Sequence, residues 1–289
     1  MEIFTIERLD SMVYGYINRI IPFSSVDGPG NRTAIFFQEC NFNCIYCHNP
    51  ETINTCVNCG KCIEVCKTGA IKNILGEIVW DYSKCCNCDS CIKICKNNSS
   101  PKIKKFTPQN LMNEIEKYKN FIQGITVSGG ECTIQEEFII ELFKIARNNG
   151  LTCFIDSNGF KDFKEMTELL SLTDKVMLDV KSWDKAIHKE SIGEDNTNVL
   201  KNLKYLASMD KLYEVRTVVV PDMFKNEDTV YNVSKFIGES NLNIRYKLIK
   251  FRAMGVREEI KDMKSPSDEY MNKLKEIAYK NGCEDVVIV

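Results

Sequence analysis

Three cysteines, Cys40, Cys44 and Cys47, stand in the run CNFNCIYC directly after AIFFQE, a short apolar stretch that reads as a buried strand. A CxxxCxxC loop can hold three irons of a [4Fe-4S] cube, and the fourth iron then lacks a cysteine from the motif. That iron is open to nitrogen and oxygen ligands, which makes it a reaction centre. A structural zinc ion is the alternative, but zinc wants four tightly spaced ligands, and the next cysteine, Cys56, lies nine residues on.

At this motif the chain resembles the radical S-adenosylmethionine (SAM) superfamily, whose CxxxCxxC carries an aromatic residue before the last cysteine, here Tyr46. The resemblance implies that the amino and carboxylate groups of SAM chelate the open iron. One electron then splits the sulfonium to a 5'-deoxyadenosyl radical. The organic chemistry would belong to the cofactors, and the protein would supply geometry, a dry pocket and a low-potential electron.

Fifteen cysteines in 289 residues are a heavy load, yet the opening MEIFTIERLD has neither a basic leader nor an apolar core, so no secretory signal is expected. The expected compartment is the reducing cytoplasm, where thiols serve metal or catalysis more often than disulfides. No run approaches the 18 or so apolar residues of a membrane span. A hydrophobic content of 44% with 27% charged residues fits a soluble globule, long enough for one large domain and a small one.

The small one is expected right after the first motif. Cys56, Cys59, Cys62 and Cys66 form CxxCxxCxxxC, and Cys85, Cys88, Cys91 and Cys95 repeat it 29 residues later, with little helix or strand pattern between. The arrangement resembles two-cluster bacterial ferredoxins, in which the fourth cysteine of each run ligates the other cluster. That resemblance pairs Cys56, Cys59 and Cys62 with Cys95, and Cys85, Cys88 and Cys91 with Cys66. Lys67 and Lys96 replace the proline usual after the fourth cysteine, without removing a ligand. Cys86 could compete with Cys85, but only Cys85 keeps the two-residue gap to Cys88. A zinc ribbon is the alternative, though ribbons seldom repeat so dense a spacing.

Around this insert, strand-like runs alternate with amphipathic stretches. The strand candidates are Ala34–Gln38, Gly124–Val127, Thr152–Asp156, Lys175–Val180, Glu214–Val220 and Arg245–Phe251, and helical spacing marks Glu136–Asn148 and Thr197–Ser208. Such alternation implies parallel βα units. Six units fall short of a closed barrel, so the expectation is an α/β fold: a partial (β/α)6 TIM-like barrel, matching what the superfamily resemblance implies. The barrel would comprise residues 1–50 and 105–289, interrupted by a ferredoxin-like insert over 51–104. Ligand chemistry in such folds gathers at the C-terminal ends of the strands.

Ser128, Gly129, Gly130 and Glu131 end the GITVSGG strand, where glycines let backbone approach a ligand and a carboxylate can accept from an ammonium group. In the family the GGE segment contacts the amino group of SAM. Cys132 reads as a small buried residue. Asp156, Ser157 and Asn158 close the next strand, and Met177, Asp179 and Lys181 the one after it. Buried acids there need a cation or donors. Here the resemblance narrows to activating enzymes of glycyl radical enzymes, whose DTNG and MLDLK segments meet SAM and a monovalent cation. It implies cation ligands at Asp156, Ser157, Met177 and Asp179, and SAM contacts at Lys181 and, through its carboxylate, at Arg216. Strand-end solvation is the competing explanation for the acids and Ser157. Where the family has FHxxG near the adenine, this chain has FRAMG, so Arg252 could stack on adenine but cannot accept a hydrogen bond. Of the two histidines, His48 is expected to support the cluster loop and His188 to lie on a helix surface.

The VDGPG loop, Val26 to Gly30, is a mark of glycyl radical activases, and the resemblance places Asp27 where the partner's glycine loop enters. IIPFSSVDGPG, GITVSGGECTIQ, DSNG and MLDVKSW together look most like the YjjW-type activases, paired with a YjjI-like glycyl radical enzyme. The expected cofactors are SAM and three [4Fe-4S] clusters, two of them auxiliary, with a monovalent cation. The expected reductant is flavodoxin or ferredoxin. A radical SAM peptide modifier is a second reading, disfavoured because those enzymes carry auxiliary clusters toward the C-terminus. An electron carrier with a vestigial barrel is a third. The formal charge of −2 would reach about −7 with three clusters loaded, a surface that repels nucleic acid.

Overall fold

The computed structural model describes residues 12–289; the leader reading at MEIFTIERLD lies outside them. The described chain opens with β1 (Gly15–Ser24), which turns through the VDGPG loop into β2 (Arg32–Phe37). The insert follows, with one-turn helices α1 (Lys61–Glu64) and α2 (Ser90–Lys93) around a hairpin of β3 (Ile71–Ile74) and β4 (Glu77–Trp80). After β5 (Lys104–Phe106) and α3 (Pro108–Glu116) come β6 (Gly124–Gly129), α4 (Glu136–Asn148), β7 (Thr152–Ser157), α5 (Thr167–Leu172), β8 (Lys175–Asp179), α6 (Lys185–Ile192) and α7 (Thr197–Ser208). The chain ends with β9 (Leu212–Val219), α8 (Asn226–Ser240), β10 (Arg245–Lys250), α9 (Asp268–Lys280) and β11 (Val286–Ile288).

One nine-stranded sheet runs in the order β11-β10-β9-β8-β7-β6-β2-β1-β5. From β2 through β11 every pairing is parallel; β1 joins antiparallel to β2, and β5 antiparallel to β1. All six strands read from the sequence are present, each bound lying within about two residues of expectation. They form because runs such as AIFF, CFI and VML are apolar on both faces, the pattern of a strand covered by helices on one side and filled on the other. α4 and α7 bury Phe138, Leu142, Phe143, Leu203 and Leu206 against the sheet, and Phe37 meets Phe138 edge to face at 5.8 Å. The mixed sheet is wider than the expected six units, because β1, β5 and β11 extend it at both ends without being betrayed by apolar periodicity. Among the described residues no helix is long and apolar enough to cross a membrane.

Within the insert the 29-residue repeat of the sequence is also a repeat of structure. α1 and α2 are offset by that spacing, and Asn58 and Asn87 hold the same left-handed backbone, φ +55°. Cys62, Cys91 and Ile71 form a small core between them. The hairpin was not expected. Its tight turn uses Leu75 and Gly76, both at positive φ, with Leu75 fully exposed, and leucine is not a turn signal.

Candidate active site

The thiol loop is pinned from two sides. Glu39 and Cys40 donate their N–H groups to the carbonyls of Thr52 and Ile53, each at 2.9 Å, and Asn43 and Ile45 donate to Ile192 and Ser191 at the end of α6. Phe42 wedges between Phe160 and His188, at 5.8 and 5.5 Å. His188 is therefore buried rather than on a surface: it shares the inner face of α6 with Ser191 and Ile192, and its Nδ1 lies 2.6 Å from the Glu194 carbonyl. His48 stacks on Phe251 and lies 2.9 Å from the Arg252 carbonyl, tying the thiol loop to the segment after β10.

Cys40, Cys44 and Cys47 line a cavity of about 280 Å³ at the C-terminal ends of the central strands. The same cavity brings together Asp27, Tyr46, Ser128, Gly129, Gly130, Asp156, Ser157, Asp179, Lys181 and Arg216. Asp156 Oδ2 accepts from Ser128 Oγ and from an Arg216 guanidinium nitrogen, both at 2.8 Å. Lys181 Nζ donates to Asp179 Oδ2 at 2.8 Å. Burial pushes the Asp156 carboxyl up to about 6, against the pull of Arg216 and with repulsion from Asp179 and Asp27. For Lys181 burial works the other way, but Asp179 and Tyr46 hold it well above the usual lysine range, and it stays charged.

Three expected site residues stand off the cavity. Glu131 turns its carboxylate inward, accepting from Ser157 Oγ at 2.9 Å, Thr133 Oγ1 at 2.5 Å and the Asn158 N–H at 2.7 Å, so it braces the GGE turn instead of facing an ammonium group. Met177 is fully buried, with its sulfur 2.9 Å from Arg216. Arg252 is exposed and reaches the site only through its backbone contact with His48. The sequence named Asn158 only as a strand end, although it lines the cavity; Glu214 and Lys247, which it did not single out, stand outside the cavity lining. Asn158 Nδ2 donates to Asn41 Oδ1 at 3.1 Å and approaches Cys40 Sγ at 3.7 Å. Glu214 and Lys247 sit behind Arg216; the signal available for them was charge at every second position of otherwise apolar strands.

Several observations fit an iron-sulfur cluster with SAM on it. Burial raises all three thiols, Cys44 to about 12, as it does the buried Cys153 and Cys283 elsewhere. Among the described residues the buried Tyr46 hydroxyl and Asn41 Nδ2 find no hydrogen-bond partner. A Cβ on Gly130 would overlap the Glu39 carbonyl oxygen and displace the start of the thiol loop, and one on Gly129 would overlap the backbone of Phe37 at the end of β2. Among the described residues no three His, Cys, Asp or Glu side chains converge on a single-ion position; the thiols ring a volume instead.

A second cavity, about 250 Å³, is lined in the insert by Cys56, Cys59, Cys62, Cys91 and Cys95. A smaller one is lined by Cys66, Cys85, Cys86 and Cys88, and Cys91 lines both.

The model of the radical SAM superfamily matches residues 34–232. The chain belongs to the radical SAM superfamily. Membership implies an enzyme that uses a [4Fe-4S] cluster and SAM. A Haemophilus influenzae protein named for glycyl-radical enzyme activation is 29% identical, over 96% of this chain and 98% of its own. Pyruvate formate-lyase 1-activating enzyme of Escherichia coli K12 is 28% identical, over 93% and 97%. Among solved structures, QueE from Escherichia coli superposes with a TM-score of 0.55 at 13% identity, over 96% of this chain and 94% of that one. SuiB of Streptococcus suis with its precursor peptide SuiA gives 0.57 at 13%, over 87% and 47%. At such identities these two speak for the radical SAM fold alone.

Proposed function

We propose that this chain activates a glycyl radical enzyme. The observation that carries the reading is the single cavity joining the three thiols, the strand-end acids and Asp27 of the VDGPG loop, in a chain aligned nearly end to end with relatives named as activating enzymes. When bound, the cluster and SAM supply a one-electron cleavage yielding a 5'-deoxyadenosyl radical that takes hydrogen from a glycine Cα on the partner. Glycine suits the step, having no side chain to obstruct approach.

Around that chemistry the residues bind, orient and keep water out. Cys40, Cys44 and Cys47 hold the cluster. Lys181, clamped by Asp179, sets a buried positive charge beside SAM, while Asp156, ionised above about 6, sets a negative charge between Ser128 and Arg216. Phe36, Phe42, Ile53 and Val218 give the cavity apolar walls. A monovalent cation belongs to this reading at the ends of β7 and β8, where Asp156 pairs with Met177 and Ser157 with Leu178, one residue before Asp179; in the structure Arg216 meets Asp156 and the Met177 sulfur. Arg252, exposed beside the cavity, holds His48 through its carbonyl.

The finer reading is a YjjW-type activase serving a YjjI-like partner in the cytoplasm, with barrel segments 1–50 and 105–289 and a two-cluster insert over 51–104. The crossed pairing of cysteines, Cys95 with the first run and Cys66 with the second, is supported by the two insert cavities that those groups line. Flavodoxin or ferredoxin supplies the electron.

The test is anaerobic reconstitution, then SAM, dithionite and the candidate partner. A glycyl radical signal by electron paramagnetic resonance, with 5'-deoxyadenosine by chromatography, is expected. Cleavage without a glycyl radical refutes activation of that partner, and no cleavage at all favours an electron carrier. Replacing Cys59 and Cys88 by Ala separates relay from docking: an unchanged radical yield with both dithionite and flavodoxin ends the relay idea.

A further inference from the structure

We infer that Glu214 and Lys247 are positioning residues that fix the VDGPG loop inside the barrel and so set where Asp27 meets the cavity. The inference rests on the reading of that loop as the side facing the partner. Glu214 and Arg216 lie on β9, and Lys247 lies beside Arg216 on β10. One oxygen of Glu214 accepts from Arg216 Nε at 2.6 Å and from Lys247 Nζ at 2.8 Å. Each of the three residues is less than a tenth exposed.

Both cations then aim a remaining N–H at one backbone atom, the carbonyl oxygen of Val26: Arg216 at 3.3 Å and Lys247 at 3.2 Å. Well-packed apolar residues would hold the strands together about as well as a buried acid with two bases, so such a group has its best-attested use in fixing a register. Here it fixes the level of a loop. The next residue completes the arrangement, since the Asp27 carbonyl accepts from Thr126 Oγ1 at 2.6 Å and its carboxylate from Ser24 Oγ at 2.5 Å. The Val26 side chain remains exposed, so the loop is gripped by its backbone and leaves its outer face uncovered. Arg216 belongs to both ends, bonding Asp156 at the cavity and Val26 at the loop. Among the described residues the Lys247 ammonium group bonds only Glu214 and the loop, which makes it the clean probe.

The experiment compares Lys247→Gln and Lys247→Arg with wild type. In Lys247→Gln, Glu214 keeps Arg216, so no buried acid is left unpaired. Amide exchange over residues 24–30 should rise about tenfold or more on losing a charged hydrogen bond, and Lys247→Arg should restore protection. With the partner, the apparent KM should rise with kcat little changed, while dithionite-driven cleavage of SAM alone stays within about twofold of wild type. Should Lys247→Gln not fold, the charge-neutral double variant Glu214→Gln/Lys247→Gln is read by amide exchange alone. Unchanged exchange in a folded variant overturns the inference. If exchange rises but no partner ever acquires a glycyl radical, the positioning role stands and the proposed function falls.

Discussion

At Gly130 the backbone of the GGE turn presses against the Glu39 carbonyl, and a methyl group there has only backbone to push. Gly130→Ala should destabilise the fold by about 1–3 kcal/mol, the cost of overpacking, and lower iron retention after reconstitution; urea denaturation and iron assay check both. His188 offers a different probe. Burial lowers its pKa below the ordinary value of 6.5, the Glu194 carbonyl opposes this, the Lys181 charge adds to the lowering and Asp195 resists it. The folded protein therefore binds fewer protons than the unfolded chain once pH drops below about 6.5, so this contribution to stability is intact above that pH and lost as pH falls through the folded value. In His188→Asn, whose amide can replace the Nδ1 donor, stability between pH 7 and 5 should fall less steeply than in wild type. Nothing in the sequence announced this burial, because a histidine among Lys185, Lys189 and Glu190 reads as a solvated face.

Elements were legible where apolar periodicity was strong. The six central strands and helices α4 and α7 were readable because their side chains carry the packing pattern, whereas β5 reads KKF, β11 is three residues long and β1 contains Pro22. Those strands form because the main sheet offers a partner, a fact no local window contains. The same holds for the site. The cysteine spacing and strand-end motifs marked the residues that line the cavity, while the inward turn of Glu131 and the place of Lys247 follow from neighbours distant in sequence. Asn202 shows how an element positions such residues: from α7 it accepts from the Phe163 N–H at 3.0 Å and donates to the carbonyls of Gly159 and Lys161 at 2.7 Å each, fixing the loop that follows Asp156 and Ser157. Asn202→Ala orphans three backbone groups in a fully buried setting and should cost at least about 2 kcal/mol, measured by chemical denaturation. SAM affinity should weaken with it.

For the whole molecule, the cysteine groups predict how metal is partitioned. Replacing Cys40, Cys44 and Cys47 together by Ala should remove about a third of the iron and sulfide of the reconstituted protein if all three groups carry cubes. An unchanged count would sink the assignment of the first loop. The insert should tolerate that loss, since its small core of Cys62, Ile71 and Cys91 is separate from the main one.

The bonds at the base of the insert carry a consequence of their own. Asn54 donates its N–H to the Asn98 carbonyl at 3.1 Å, and the Asn97 side chain donates to the Thr55 carbonyl at 2.8 Å. The chain thus leaves the barrel and returns to it through one doorway. A shortened protein in which a brief turn bridges Asn54 to Asn98 should keep its parallel sheet, seen as a retained cooperative melt, and the excursion between those residues behaves as a cassette whose loss or gain leaves the architecture around it standing.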